Sequence, residues 1–532
     1  MIKSLFAATS AIALMSGAAH ADSVLHILHT NDVHSRIEPI NKYDSTCDEE
    51  TQAANECFGG VARIATKIAE LKQQIEAEGE PVIVLDAGDQ YQGSMFYTTY
   101  KGEEVVEFMN AIGYDAMAVG NHEFDDGPGG LAILADGVNF PVISSNLDLS
   151  QSDLSGKVVK HLVIEKDGQK IGIISALAMD TPETSSPGDD VIFQDDVESL
   201  TAAAEALEEE GVNQIIALTH VGYLRDQEFA AQIPGIDAII GGHSHTLLGQ
   251  MEGAEGAYPT MVSGPDGNQV PVAQAYAYSK YVGHLKLTFD DEGKVTAVEG
   301  EPILLDASVP EDEAIAARVA EMAEPIAELR NKVVAQSAGT IEGSREICRQ
   351  QECAMGNLVA DAMLERVKDQ GVTIAIQNGG GLRASIDEGE VTMGEVYTVL
   401  PFQNTLATFQ LDGASVVAAL ENGASQYEEL AGRFAQVAGL KYTVDPAAEV
   451  GSRISDVMVM EGEEWVPIDT QATYGVTTNN YMRGGGDGYS IFAEKGQQAY
   501  DFGPDLAEVV AEYLGAAQGG YEPYTDGRIT VK

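Results

Sequence analysis

Asp32, His34, Asp89, Asn121, His220, His243 and His245 are all side chains that can hold divalent cations, and each closely follows a short apolar run. The runs are Val24 to Leu28, Val82 to Leu85, Ala116 to Val119, Ile215 to Leu218 and Ile236 to Ile240. Carboxylate, amide and imidazole without thiolate make a mixed N/O set suited to Zn²⁺ or Mn²⁺ rather than a structural zinc site. In Asp32-Val33-His34, residues two apart in an irregular loop can turn towards one point. Asp89, in Gly88-Asp89-Gln90, carries two oxygens that can bridge two cations. Such a pair, about 3.5–4 Å apart, acidifies water and clamps the oxygens of an in-line displacement. A lone histidine after a strand is more often structural than a ligand. Of the 10 histidines here, however, five (His34, His122, His220, His243 and His245) share that placement and none follows His284.

The elements that must position these residues are strands. In open α/β sheets, ligands bind outside the carboxyl ends of the strands, so five strand ends can serve one site. Helical stretches such as Val61 to Ile75, Glu103 to Ile112 and Leu200 to Glu210 alternate with the strand-like runs over residues 24 to about 300, which predicts layered α/β architecture. Pro310 to Val334 is charged and Ala-rich with helical periodicity interrupted at Pro325. It reads as a linking helix with a break rather than a core element. A second α/β region follows, with Gly-rich turns at Gly379 to Gly381 and Gly484 to Gly486, and Gly527 to Lys532 reads as a closing strand. At 532 residues the chain exceeds one hydrophobic core. The expected division is a leader at 1–21, an N-terminal domain at 22–309, a linker helix at 310–335 and a C-terminal domain at 336–532.

The 84 acidic residues against 30 basic ones give a formal charge of −54, which argues against nucleic-acid polymers and anionic membranes as partners. A solvated acidic surface suited to salty surroundings accounts for it, and a phosphate site must then be made locally positive by cations and arginines. Lys3, the apolar Leu5 to Met15 and Ala19-His20-Ala21 read as a secretory leader, which predicts a periplasmic or secreted protein without a lipid or membrane anchor. Cys47 with Cys57 and Cys348 with Cys353 is the economical pairing among the three that four cysteines allow.

The ordered elements Asp32/His34, Gly88/Asp89, Gly120-Asn121-His122-Glu123, His220 and Gly242-His243-Ser244-His245 resemble the signature of calcineurin-like metallophosphoesterases. The resemblance implies one ion on Asp32, His34, Asp89 and His245, and a second on Asn121, His220, His243 and the shared Asp89. It implies Zn, Mn or Co as the metal. His122 would then act on the phosphoryl oxygens or the leaving group, oriented by Asp125. From the residues alone, Asp125-Asp126-Gly127 could equally be a solvated turn.

The second half resembles the C-terminal domain of the 5′-nucleotidase family. The matching segments are Gly356-Asn357, Gln377 to Arg383, Leu400-Pro401-Phe402, Gly439-Leu440, and Asn480-Tyr481 through Gly488. That family implies a four-layer α/β/β/α metallophosphoesterase domain joined by a helix to an α/β nucleotide-binding domain. It also implies hydrolysis of nucleoside 5′-monophosphates, with UDP-sugars as a further substrate class. Arg383 and Arg349 would meet phosphate, Phe402 and Tyr481 would sandwich the base, Asp487 would accept ribose hydroxyls, and Asn378 would reach ring or sugar atoms. The alternatives are a 2′,3′-cyclic-nucleotide phosphodiesterase with 3′-nucleotidase activity and a non-catalytic nucleotide-binding protein. Oligomeric state stays open.

Overall fold

Leu25, Ile27 and Leu28 are fully buried, so the strand Ser23–Thr30 is apolar on both faces and must lie between two layers. A computed structural model describes residues 23–532 except 43, 45, 48, 266, 463 and 502. The leader read at residues 1–21 lies outside the described residues. Ser23–Thr30 pairs in parallel with Val82–Asp86 and antiparallel with Tyr281–Phe289 inside a seven-stranded sheet that also holds Ala116–Ala118. Ile215–Leu218 and Ala238–Ile240 are adjacent parallel strands of a second, six-stranded sheet. The five ligand-bearing strands are therefore divided between two sheets, and both sheets mix parallel with antiparallel pairs.

Alternation along the strands builds the layers. Leu25, Ile27, Ile83, Leu85, Ala116 and Ala118 face Ile171, Ile173, Ile216, Leu218, Ala238 and Ile240 across the inter-sheet core. The opposite face of the first sheet, with Leu28, Val84 and Met117, is covered by Ile64 and Ile68 of the helix Val61–Glu78 and by Val105 and Met109 of Glu103–Ile112. The outer face of the second sheet, with Ile215, Ala217 and Ile239, packs on Leu200 and Leu207 of Asp196–Glu209 and Phe229 of Tyr223–Gln232. The result is helix, sheet, sheet, helix. Each fully buried Leu or Ile contributes about 1.5–3 kcal/mol, enough for the inner double layer to hold the two groups of strand ends in register.

The C-terminal half is built on a five-stranded sheet in which Val372–Asn378 pairs in parallel with Thr473–Asn479. The helices Ala354–Val367 and Leu506–Ala516 belong to one buried cluster, and Gly413–Gly423 belongs to another with Ile374, Ile376 and Val476. Ile529–Val531 closes a four-stranded sheet beside Leu440–Val444. Between the halves, Asp312 caps the helix Glu313–Ala323 by accepting from the N–H groups of Ala314 and Ile315. A 3₁₀ turn, Glu324–Ile326, carries the break at Pro325. One expectation is corrected here: Val319, Met322, Ala323 and Ile326 are buried against Val61, Phe96 and Phe108, so one face of this helix is part of the core. Its periodicity was that of an amphipathic helix, and the apolar stripe found a surface.

Both local disulfides form, Cys47–Cys57 and Cys348–Cys353. Among the described residues no helix is long and apolar enough to cross a membrane. With a formal charge of −54, self-repulsion opposes folding. The thermal unfolding midpoint is expected to rise as NaCl goes from about 0.01 M to about 1 M and the Debye length contracts from ~30 to ~3 Å. A flat or falling profile in calorimetry would contradict this.

Candidate active site

The loops leaving the five strands converge. Asp32, His34, Asp89, His243 and His245 all have φ between 51° and 75°. For a non-glycine residue such a conformation costs of order 1–3 kcal/mol and persists where surrounding structure dictates it. The left-handed turn lets Asp32 and His34 aim at one point. Three groups of ligand-type side chains result: Asp32, His34 and His245; His34, Asp89 and His122; and Asp89, His220 and His243.

In the first group His245 Nε2 lies 3.3 Å from Asp32 Oδ1 and 3.0 Å from His34 Nε2. In the third, Asn121 Oδ1 lies 3.2 Å from His220 Nε2 and 2.9 Å from His243 Nδ1. Asp89 Oδ2 stands between them, 3.0 Å from His220 Nε2 and 3.8 Å from His34 Nε2. All seven residues of the expected ligand set are thus brought together, with the Asp89 carboxylate in the middle.

The protonation pattern fits a metal centre. His220 Nδ1 donates to the Ala87 carbonyl at 2.7 Å and His34 Nδ1 to that of Tyr91 at 3.1 Å, which leaves each Nε2 to present a lone pair. The Nε2 of His220 then faces two acceptors, Asp89 Oδ2 and Asn121 Oδ1. Only a proton or a cation between them reconciles that. Burial opposes charging His220, but Asp89 overcomes it and pushes the imidazole up to about 10. A cation would take the place of that proton. Burial holds His34, His243 and His245 well below the ordinary imidazole value, in the neutral form that ligates. Burial also pushes the Asp32 carboxyl up to about 6.

Glu123, next to His122 in sequence, organises the loops. Its buried carboxylate accepts N–H bonds from Asp89 (3.1 Å), Gln90 (2.9 Å), Tyr91 (3.2 Å) and Gly120 (2.7 Å). A Cβ on Gly120 would lie 2.3 Å from both the backbone nitrogen and Oδ1 of Asp89, so no larger residue fits there. Sequence reading placed Glu123 in a motif but gave it no role, because its partners are backbone atoms.

His122 Nδ1 lies 2.7 Å from Asp125 Oδ2, which places Asp125 in the dyad and not in a solvated turn. Asp126 is the residue that faces outward, accepting from the Tyr97 hydroxyl at 3.0 Å and pairing with Lys101 at 3.1 Å. Burial works against a charged His122, but Asp125 and Asp89 raise it above the ordinary value.

The C-terminal residues face this cluster. Arg383 Nη2 is 3.0 Å from His34 Nε2, and its guanidinium carbon lies 5.6 Å from the centroid of the Phe402 ring. Phe402 stacks on His122 with centroids 5.6 Å apart and lines the cavity together with Tyr481. The Tyr481 hydroxyl donates to Asp487 Oδ1 at 3.3 Å. Asn378 also lines the cavity; its Nδ2 donates to Asp487 Oδ2 at 2.6 Å, and its Oδ1 accepts from Asn479 at 2.9 Å and Gln377 at 3.1 Å. Its amide is largely spent on aligning Asp487, which itself sits at positive φ. Arg349 is buried and not a solvated surface charge. Its Nη1 donates to the Leu430 carbonyl at 3.2 Å, while its Nε has no hydrogen-bond partner among the described residues.

One cavity of about 950 Å³ runs from Asp89, Asn121, His243 and His245 to Arg383, Phe402, Tyr481 and Asp487. Arg345 and Arg433, which sequence reading did not single out, line it with Arg349 and Arg383. These four, of the five arginines in the lining, form a wall of positive charge among acidic residues such as Asp89, Asp125 and Asp487. Isolated arginines carry no spacing signal, so only the fold could reveal them.

Residues 25–247 match the calcineurin-like phosphoesterase family, and residues 333–494 match the 5′-nucleotidase C-terminal domain. The chain is 39% identical over 530 residues to snake venom 5′-nucleotidase of Naja atra, covering 95% of this chain and 98% of that protein. It is 39% identical to the 5′-nucleotidase of Mus musculus, over 95% of this chain and 90% of that one. The crystal structure of a 5′-nucleotidase precursor from Thermus thermophilus superimposes with a TM-score of 0.90 at 40% identity, covering 96% and 99% of the two chains.

Proposed function

Because the chain belongs to the 5′-nucleotidase family, we infer that it hydrolyses nucleoside 5′-monophosphates to nucleoside and phosphate in a metal-dependent reaction. The observation that carries this reading is the single cavity in which a buried cluster of carboxylate, amide and imidazole ligands faces Arg383 and two aromatic rings. The chemistry at one end suits a phosphate ester, and that at the other suits a nucleoside.

We assign the metal site to Asp32, His34, Asp89 and His245 on one side and Asn121, His220, His243 and the shared Asp89 on the other. The N/O donor set suits Zn, Mn or Co. Two such ions supply acidified water and charge neutralisation for phosphate. The remaining work belongs to the chain. Arg383 and Arg349 hold the phosphate as charge-assisted donors. His122, fixed through Nδ1 by Asp125, presents Nε2 to the phosphoryl and leaving-group oxygens and can deliver a proton to the departing 5′-oxygen. Phe402 and Tyr481 form the base slot, and Asp487, held by Asn378, accepts ribose hydroxyls.

Export is part of the proposal: the leader at residues 1–21 and two disulfides suit an oxidising compartment, periplasmic or extracellular. The test is phosphate release from 5′-AMP, 3′-AMP, 2′,3′-cyclic AMP and UDP-glucose by the mature protein, before and after chelation and after metal is restored. Hydrolysis of 5′-AMP is expected to dominate, to vanish with chelator and to return with metal. Preference for the cyclic or 3′ substrate would move the chain to the phosphodiesterase alternative, and activity indifferent to chelation would refute the metal site.

A further inference from the structure

Asp125 is held by more than His122. Its Oδ1 accepts the Ser185 hydroxyl at 2.7 Å, while Oδ2, which takes His122 Nδ1, also accepts Gln92 Nε2 at 3.2 Å. Both oxygens are therefore engaged and the carboxylate plane cannot turn freely. Ser185 is 60 residues from Asp125 in sequence and 9% exposed. It directly follows a single helical turn, Thr181–Thr184. That turn packs against Gly486–Gly488, the C-terminal segment that carries Asp487. Thr184, Ser185 and Asp487 line the same cavity.

From this chain of contacts we propose that Ser185 is a positioning residue: it orients the His122–Asp125 dyad, and the turn before it registers the seating of the nucleoside-binding segment 486–488. The Ser185 hydroxyl donates to Oδ1, which leaves Oδ2 directed at His122 Nδ1 and so fixes the imidazole plane. Seating of Gly486–Gly488 against Thr181–Thr184 fixes where Ser185 stands. The dyad is thus aligned when the C-terminal half is in place to deliver substrate. Ser185 touches no reacting atom, and its effect passes through Asp125.

The inference rests on the role given above to His122 and Asp125, and its test separates the two. Ser185→Ala, Asp125→Ala, the double variant and His122→Ala are compared at matched metal content and unfolding midpoint, with 5′-AMP and with p-nitrophenyl phosphate. A well-oriented general acid contributes roughly 10²–10⁴-fold when the leaving group is a poor one. Ser185→Ala is expected to lower kcat for 5′-AMP by about tenfold with KM within about twofold, since part of that orientation is lost. With p-nitrophenyl phosphate, whose leaving group needs little protonation, kcat should change by less than about twofold. In the Asp125→Ala background, Ser185→Ala should have no further effect, because a residue acting through another loses its influence with it. Equal losses on both substrates, a loss expressed in KM, or additivity with Asp125→Ala would overturn the positioning role while leaving the dyad intact. Undiminished 5′-AMP turnover by His122→Ala would overturn the dyad itself and the role of Ser185 with it.

Discussion

Replacing Asp89 with alanine is expected to lower kcat/KM for 5′-AMP by at least about 10³-fold, since several kcal/mol of charge stabilisation depends on the ions it would bridge. Its Oδ2 lies 3.0 Å from His220 Nε2 and 3.8 Å from His34 Nε2, between the two groups of ligand-type side chains. Its second oxygen, Oδ1, accepts the backbone N–H of His122 at 2.9 Å, so the same substitution also loosens the dyad. Metal analysis of the variant should show less than the wild-type complement, with the fold retained in circular dichroism. Wild-type turnover by a folded Asp89→Ala protein would end the shared-ligand assignment.

Arg383→Ala should reduce kcat/KM by about 10²–10³-fold, because charge-assisted, bidentate contacts to phosphate are worth roughly 1.5–3 kcal/mol each. Arg383 is buried, borders the first ligand group through His34 Nε2 at 3.0 Å, and lies over Phe402. A lysine offers a point charge without the planar fork, so Arg383→Lys should recover little of the loss. Steady-state kinetics with 5′-AMP decide it. A change below about threefold in both variants would remove Arg383 from phosphate binding.

Asp32, His34, Asp89, Asn121, His220, His243 and His245 were legible as a set because each combines a ligand-type side chain with the end of an apolar run, and strand ends are where α/β proteins build sites. The helix Glu103–Ile112 was readable to the residue from its periodicity, and the break at Pro325 from proline chemistry. The pairing of the cysteines followed from their spacing. These are properties of residue type and short-range order, which the chain carries before it folds.

The rest depended on which distant segments meet. The family resemblance implied two sheets, but the residue pattern did not say which strands each receives, because alternation sets only which face of a strand is buried and not which strand lies beside it. Asp125 could be a turn residue or half of a dyad until His122 Nδ1 stood 2.7 Å away and Ser185, from 60 residues downstream, closed its other side. Glu123 binds backbone N–H groups, which have no sequence signature, and Arg345 and Arg433 become part of the positive wall only where folding brings their backbones to one cavity. The amino-acid sequence determined which ligand-type side chains stand at the strand ends and the chemistry such side chains can support. Tertiary contact decided their geometry and which neighbours hold them in place, because a hydrogen bond is fixed by distance in space and not by separation along the chain.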